Sequence, residues 1–333
     1  MQKGADIQPG QELFQKNFGP RDYLTTYYPH DVDAGQLLAT LRVVRKEFDA
    51  QGIIDIEKTV KDTGTAPETV ENLVIMDFQR TLLRYLAKEF PRGNGAVLEV
   101  GGGPTIYQHI ALSLAAGHIV HSEFLEGNRN EVHQWLHEGE GAYNWDPYFN
   151  LMKMMLAEDP EYQALLVEQS GSEDAQIKTH VDLVKQILTT EDLTLYKERV
   201  RRCLKGVTAF GDLFHPNLGW DTPVTREWIL DLVVSNFAAE SATDDRAKWE
   251  TGMRNIMSFV RPGGLLSLGA IRNASWYQVG SERMPAVSIN EVDMREICAK
   301  EGFTILETRV LTGSPKEAVG YDGMVFMLAR KGV

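Results

Sequence analysis

The chain has 333 residues, 43% hydrophobic and 24% charged, the proportions of an ordinary globular protein with room for a sizeable core. Its formal net charge of −13 and the lack of any lysine- and arginine-rich block exclude a nucleic-acid partner, because phosphate binding needs a basic footprint. Two cysteines, Cys203 and Cys298, make no disulfide framework, and no apolar run has the form of a signal segment or of a membrane span, so a cytoplasmic enzyme is expected.

Residues 1–19 are polar, with a flexible start expected. The stretch Pro20 to Tyr28 carries Tyr23, Tyr27 and Tyr28. Tyr23 and Tyr27 share one face if the segment is helical, either packed on the core or closing over a ligand. Leu37, Leu38, Leu41, Val44 and Phe48 have helical spacing over 33–51, and residues 53–64 form a connection. Thr65 and Glu68 have the spacing of a capping box, with Pro67 in the first turn. The helix that follows carries Val70, Leu73, Val74, Phe78, Leu82, Leu83, Leu86 and Phe90 and stops at Pro91 to Gly95. Residues 1–95 are therefore expected as an N-terminal helical cap and lid segment.

From residue 96 the pattern alternates. A strand at 96–100 ends in Gly101-Gly102-Gly103-Pro104, a helix covers 105–116, a strand 118–123 ends at Glu123, and a helix covers 129–137. Asn144 to Pro147 breaks the pattern, and a helical insertion without strand signal fills about 145–205. Strands at 207–212, 229–235 and 265–270, a loop at 215–226, helices at 243–260 and 290–301, and strands at 303–311 and 323–330 complete the chain. This is the order of a doubly wound, mainly parallel, Rossmann-like α/β sheet. Ligands in such sheets lie outside the carboxyl ends of the strands, where Gly101–Thr105, Glu123, Asp212 and Ser235–Ser241 fall.

The glycine corner lets the backbone pass close to a ligand, and Glu123, 20 residues after Gly103, is placed to accept hydrogen bonds from ribose hydroxyls. A nicotinamide or flavin dinucleotide is one reading. Pro104 opens the helix in place of a third glycine, leaving fewer N–H groups for a pyrophosphate. A cofactor with one carboxylate and no phosphate, such as S-adenosylmethionine, fits better.

Gly-Pro-Arg-Asp-Tyr-Leu-Thr-Thr-Tyr-Tyr (19–28), Gly-Gly-Gly-Pro-Thr-Ile-Tyr-Gln (101–108), Ser-Asn-Phe-Ala-Ala-Glu (235–240) and Ser-Trp-Tyr (275–277) occur in this order. Together they resemble the family of nicotinamide, phenylethanolamine and thioether or indolethylamine N- and S-methyltransferases. Arg261 to Gly264 also resembles the turn before the fifth strand of class I methyltransferases, and Asn144 to Pro147 a family segment. The resemblance covers most of 19–28 and 96–331, and is poor over 30–90 and 150–200. It implies a class I fold and S-adenosylmethionine as cofactor, with S-adenosylhomocysteine as product and no metal.

By that resemblance, Gly101 and Gly103 pass close to the cofactor, Thr105 and Tyr107 contact its methionine end, Glu123 and Asn128 its ribose and adenosine, and Asp212 and Leu213 its adenine. Tyr23, Tyr27 and Tyr28 close over cofactor and acceptor, and Asn236 lines the passage between them. Glu240 and Tyr277 face the acceptor, so Glu240, Tyr23 and Tyr277 are the expected catalytic residues, with Asp322 a weaker candidate. Where the family's amine methyltransferases place acids after the fifth strand, this chain has Gly269-Ala270-Ile271-Arg272-Asn273-Ala274-Ser275. Arg272 suits a carboxylate. The expected acceptor is thus an amino acid, methylated on nitrogen, or methionine or another thioether, methylated on sulfur. An amine or N-heterocycle without carboxylate recognition is the alternative. An NAD(P)-dependent oxidoreductase and a non-catalytic cofactor-binding protein are the rivals, and a homo-oligomer is possible. His133 and His137, four apart, lack a third ligand placed by spacing and are read as a solvated pair.

Overall fold

The computed structural model describes residues 11–28, 32–205, 208–220 and 230–333, without the side chains of 11–13. The start of the chain and much of the 215–226 loop therefore lie outside the described residues. The N-terminal part comprises α1 (Gln11–Asn17), α2 (Pro20–Tyr27), α3 (Ala34–Glu47), β1 (Ile53–Asp55), α4 (Ile56–Thr63) and α5 (Pro67–Glu89). The alternating part begins with β2 (Gly95–Val100), α6 (Tyr107–Leu112), β3 (Ala116–Glu123) and α7 (Glu126–Leu136). Four helices follow, α8 (Asp146–Ala157), α9 (Pro160–Ser170), α10 (Ala175–Thr189) and α11 (Thr194–Leu204). Next come β4 (Thr208–Phe210), β5 (Leu230–Asn236), α12 (Arg246–Ser258), β6 (Val260–Arg272), β7 (Trp276–Val279) and β8 (Glu282–Pro285). The chain ends with α13 (Glu291–Lys300), β9 (Phe303–Thr312), α14 (Lys316–Val319) and β10 (Gly323–Lys331).

Eight strands form one sheet in the order β1-β9-β10-β6-β5-β2-β3-β4. Strand β10 runs antiparallel to both its neighbours, and the other pairings are parallel. This is the doubly wound, mainly parallel sheet expected. Alternate residues feed opposite faces: Val97, Leu232, Val234 and Phe326 join one buried cluster, and Leu98, Val233, Leu266 and Val325 the other. Helices α5, α6, α8, α10 and α11 cover the first face, and α12 and α13 the second.

Four local expectations are corrected. The connection at 53–64 holds β1 and α4, and β1 pairs with β9 from Ile53↔Val310 to Asp55↔Thr312, tying the N-terminal helices to the sheet edge. The capping box does not form: Ala66 is the N-cap of α5, with no side-chain cap, and Glu68 is free for another use. The stretch after β6, where the sequence places no strand, is a hairpin, with Trp276 opposite Pro285 and Tyr277 opposite Met284. Pro262-Gly263-Gly264 bulges from the ladder rather than preceding the strand, since pairing with β5 steps from Val260 to Leu265.

Candidate active site

Strands β2, β3, β5 and β6 all point their carboxyl ends at one crevice, the position ligands take in open α/β sheets. A cleft open to solvent lies there, lined by the glycine corner, the tyrosines of the N-terminal segment and the loops after these strands. Its floor is the glycine corner. Gly101 and Gly103 have φ of 69° and 63°, in the left-handed region that glycine enters without steric cost. A Cβ on Gly101 would lie 2.3 Å from Ala238 Cβ, whereas one on Gly103 would meet nothing within 4 Å, so Gly103 borders open space. Gly101 and Gly102 donate their N–H groups to Ser122 O at 2.8 and 3.2 Å, and Thr105 Oγ1 donates to Gly102 O at 2.8 Å.

Behind the corner lies a buried polar group that the sequence reading missed. Glu99 Oε2 is 2.7 Å from His121 Nδ1 and 2.9 Å from His109 Nε2, and all three side chains are wholly inaccessible. Burial would raise the Glu99 carboxyl, but the two imidazoles outweigh it and hold the group down at about 2. A Cβ on Gly102 would fall 2.4 Å from both Glu99 Oε2 and His121 Cε1, which is why the middle residue is also glycine. The available signal was an acid inside a buried strand, which must have a partner.

At the end of β3, Glu123 accepts from Gly103 N at 2.9 Å, Leu125 N at 2.7 Å and Asn128 Nδ2 at 3.2 Å. Its carboxylate keeps lone pairs for further donors. Asn128 Oδ1 is buried with no hydrogen-bond partner, and so are both amide atoms of Asn236. Such groups are costly unless something else satisfies them. Asp212, whose Oδ1 accepts from Phe214 N at 3.0 Å, lines the same end with Leu213.

The tyrosines line the cleft from α2, joined by Tyr107 and Tyr277. Tyr28 stacks on Tyr107 with centroids 5.3 Å apart, and Tyr23 and Tyr27 meet at 4.9 Å. Arg21 pairs with Glu131 of α7 at 2.7 Å, Tyr27 OH donates to Gln278 O of β7 at 2.9 Å, and Asn72 of α5 holds Tyr27 O. Helix α2 is thereby fixed across the opening from three sides. Tyr277 OH donates to Ser241 O at 3.4 Å. Burial pushes the Tyr23 hydroxyl up to about 12 and that of Tyr277 well above the usual range, so both stay neutral walls and donors.

Three expected acceptor residues are not brought here. Arg272 donates from Nε to Glu291 and from Nη1 to Asp322, each at 2.8 Å, and does not line the cleft. Asp322 is spent on Arg272 and on Asn273 Nδ2 at 2.9 Å. Glu240 is fully buried behind the wall: its Oε1 accepts from Ile271 N at 3.0 Å, while its neighbours Ser241 and Ala242 face the cleft. Burial pushes its carboxyl up to about 7.

Acids also line the cleft from α5. Glu68, Glu71 and Asn72 are part of the wall, together with Tyr321 and Met324. The signal available for Glu71 was its phase: it falls on the helix stripe of Val74, Ile75, Phe78 and Leu82, all buried. The described residues lining the cleft include Glu68, Glu71, Glu123 and Asp212 and no lysine, arginine or histidine.

The model of the NNMT/PNMT/TEMT family matches residues 59–332. The chain belongs to this family. It is an S-adenosylmethionine-dependent methyltransferase, and the resemblance drawn from the four sequence segments is borne out. Phenylethanolamine N-methyltransferase of Homo sapiens is 29% identical over 257 residues, covering 75% of this chain and 79% of that protein. The Mus musculus enzyme of the same name is 31% identical, covering 75% of each chain. Indolethylamine N-methyltransferase of Oryctolagus cuniculus is 24% identical over 326 residues, covering 97% of this chain and 96% of that protein. The family match begins within α4, so it includes the helix that brings Glu71 to the cleft. Among the described residues no helix is long and apolar enough to cross a membrane.

Proposed function

We propose that this methyltransferase acts on the nitrogen of a small amine, rather than on an amino acid recognised through its carboxylate. One observation carries the reading: the cleft is walled by tyrosines and carboxylates, and no cationic side chain among its described lining residues could pair with an anionic acceptor. Arg272, the one residue that suggested a carboxylate, is neutralised by two acids outside it. The relatives named for phenylethanolamine and indolethylamine support the same chemical class.

The residues present fit the cofactor. Gly103 opens onto free space, Glu123 has acceptor capacity left for ribose hydroxyls, and Asn128 and Asn236 present unsatisfied buried amide atoms. Thr105, Tyr107 and Tyr28 would enclose the methionine end, and Asp212 and Leu213 the adenine. When bound, S-adenosylmethionine supplies an electrophilic methyl group on a positively charged sulfonium. The protein's task is then mainly positioning, because the leaving group needs no further activation. Tyr23, Tyr27 and Tyr277 exclude water and offer ring faces that favour the cationic sulfonium and ammonium. The nitrogen must be neutral when it attacks, so turnover of an amine is expected to rise with pH.

The test is transfer of a labelled methyl group to matched pairs, each an aromatic amine and the amino acid carrying the same side chain, with a thioether as a third arm. The amine is expected to be favoured in kcat/KM by about tenfold or more, the scale set by burying an unpaired carboxylate beside carboxylates. Preference for the amino acid or the thioether would overturn the reading.

A further inference from the structure

We propose that Glu71, supplied by the N-terminal helical region, is the carboxylate that anchors the cationic nitrogen of the methyl acceptor. The proposal rests on the amine reading above and assigns its recognition to a helix on which the sequence analysis placed no site residue.

The geometry is specific. Glu71 is buried, at 3% exposure, yet it lines the cleft. Ser314 Oγ donates to its Oε1 at 2.8 Å and Tyr321 OH to its Oε2 at 3.0 Å. Each oxygen is thus held by one neutral donor and keeps acceptor capacity. Among the described residues no cation pairs with it, in contrast to Asp77 on the same helix, which is matched by Arg45 and Arg80. Buried carboxylates are paired with a positive charge or become neutral. The missing charge here has a place to arrive from, because the cleft opens onto the carboxylate.

The surroundings point the same way. The titratable groups facing Glu71 are Glu68 on its own helix, Tyr27 from α2 and Tyr321 before β10. Burial and Glu68 push its carboxyl up to about 7, against the pull of the Ser314 and Tyr321 hydroxyls. An arriving ammonium would relieve both penalties. Glu71 also lies at the right end of the cleft. Ser314 and Tyr321 flank the β9–β10 connection, whereas Glu123 ends β3. Strand β10 is four strand spacings from β3 in the sheet order, roughly 19 Å at about 4.8 Å each, so the carboxylate stands away from the ribose end.

The experiment measures binding, because turnover itself depends on deprotonation of the amine. Calorimetric titrations of 2-phenylethylamine and of 2-phenylethanol, its neutral counterpart, are made into the full chain loaded with S-adenosylhomocysteine. The wild type is expected to prefer the amine by about tenfold or more at pH 8, with the preference shrinking toward pH 6 as Glu71 takes up a proton. Glu71→Gln keeps the shape and the two hydroxyl partners, and is expected to bind both probes alike with unchanged affinity for S-adenosylhomocysteine. Ser314→Ala with Tyr321→Phe keeps the carboxylate but removes the hydrogen bonds that favour its charged form. That variant should lose the preference at a higher pH than the wild type, and it carries the test if Glu71→Gln does not fold. If Glu71→Gln keeps the preference for the amine, the assignment of Glu71 falls while the amine reading stands. If the wild type shows no preference at any pH, both fall.

Discussion

The Glu240 carboxylate accepts the backbone N–H of Ile271 at 3.0 Å, joining the loop after β5 to the end of β6. The same residue's carbonyl accepts from Val287 N at 2.9 Å. The acid that the family pattern assigns to the acceptor is here used to build the wall behind it. Glu240→Gln preserves the acceptor oxygen facing Ile271, so kcat/KM is expected to stay within about threefold of wild type. Stability should change instead. Burial raises the folded carboxyl from 4.5 to about 7, so between these values the folded state binds more protons than the unfolded chain. Its contribution to stability is therefore lost as pH rises through that window, a penalty of roughly 3 kcal/mol. Denaturant melts at pH 5 and pH 8 should show the variant gaining on the wild type at the higher pH. A large loss of kcat/KM with the fold intact would return Glu240 to the acceptor.

Arg272 gives an independent prediction. Its guanidinium bridges Glu291 and Asp322 and so holds the loop after β6 against α13 and the start of β10. Arg272→Ala should lower the melting temperature, in keeping with about 1 kcal/mol for a partly exposed pair. It should leave the preference for an amine over its amino acid unchanged. A shift of that preference toward the amine alone would mean that the guanidinium reaches the acceptor after all.

The sheet was legible in the sequence because its cues are local. Alternating apolar runs, glycine corners and helix periods mark most strands and helices within a few residues, and Gly101, Gly103, Glu123 and Asp212, the residues proposed for the cofactor, sit at strand ends that those cues locate. Strand β1 was not legible: three residues have no period, and only pairing with β9, distant in the chain, makes them a strand. The acceptor side failed for a related reason. Whether Glu240 or Arg272 faces the cleft depends on partners brought from Ile271, Glu291 and Asp322, which no spacing rule connects. Glu71 was hidden in the opposite way, as one polar residue in a stripe whose apolar members drew the attention. Its partners Ser314 and Tyr321 lie 243 and 250 residues along the chain.

A substitution at Gly103 tests cofactor binding apart from folding. Its φ of 63° disfavours a side chain, yet a Cβ there would meet no protein atom within 4 Å. Gly103→Ala should therefore cost only about 1 kcal/mol in stability, the usual strain of a left-handed alanine. The methyl group would project into the space assigned to S-adenosylmethionine. The dissociation constant for S-adenosylhomocysteine, measured by calorimetry, is expected to rise by about tenfold or more. Unchanged affinity would place the cofactor elsewhere.

Gly102 tests the opposite face of the same corner. Its backbone rests directly on Glu99 and His121, so Gly102→Ala must displace a buried hydrogen-bonded group rather than empty space. Loss of stability is expected together with loss of cofactor affinity, unlike Gly103→Ala. His121→Ala should be more severe, because it leaves the buried Glu99 charge with His109 as its remaining ring partner, and breaking such a group costs about 3–5 kcal/mol. The acid limb provides a further check. With the Glu99 carboxyl held at about 2 in the folded state, its contribution is complete above the unfolded value near 4.5 and disappears as pH falls toward 2. Acid titration followed by circular dichroism should show His121→Ala losing this limb, with a flatter dependence of stability on pH between 4.5 and 2 than the wild type. Identical acid profiles would mean that His121 contributes nothing to holding Glu99 ionised.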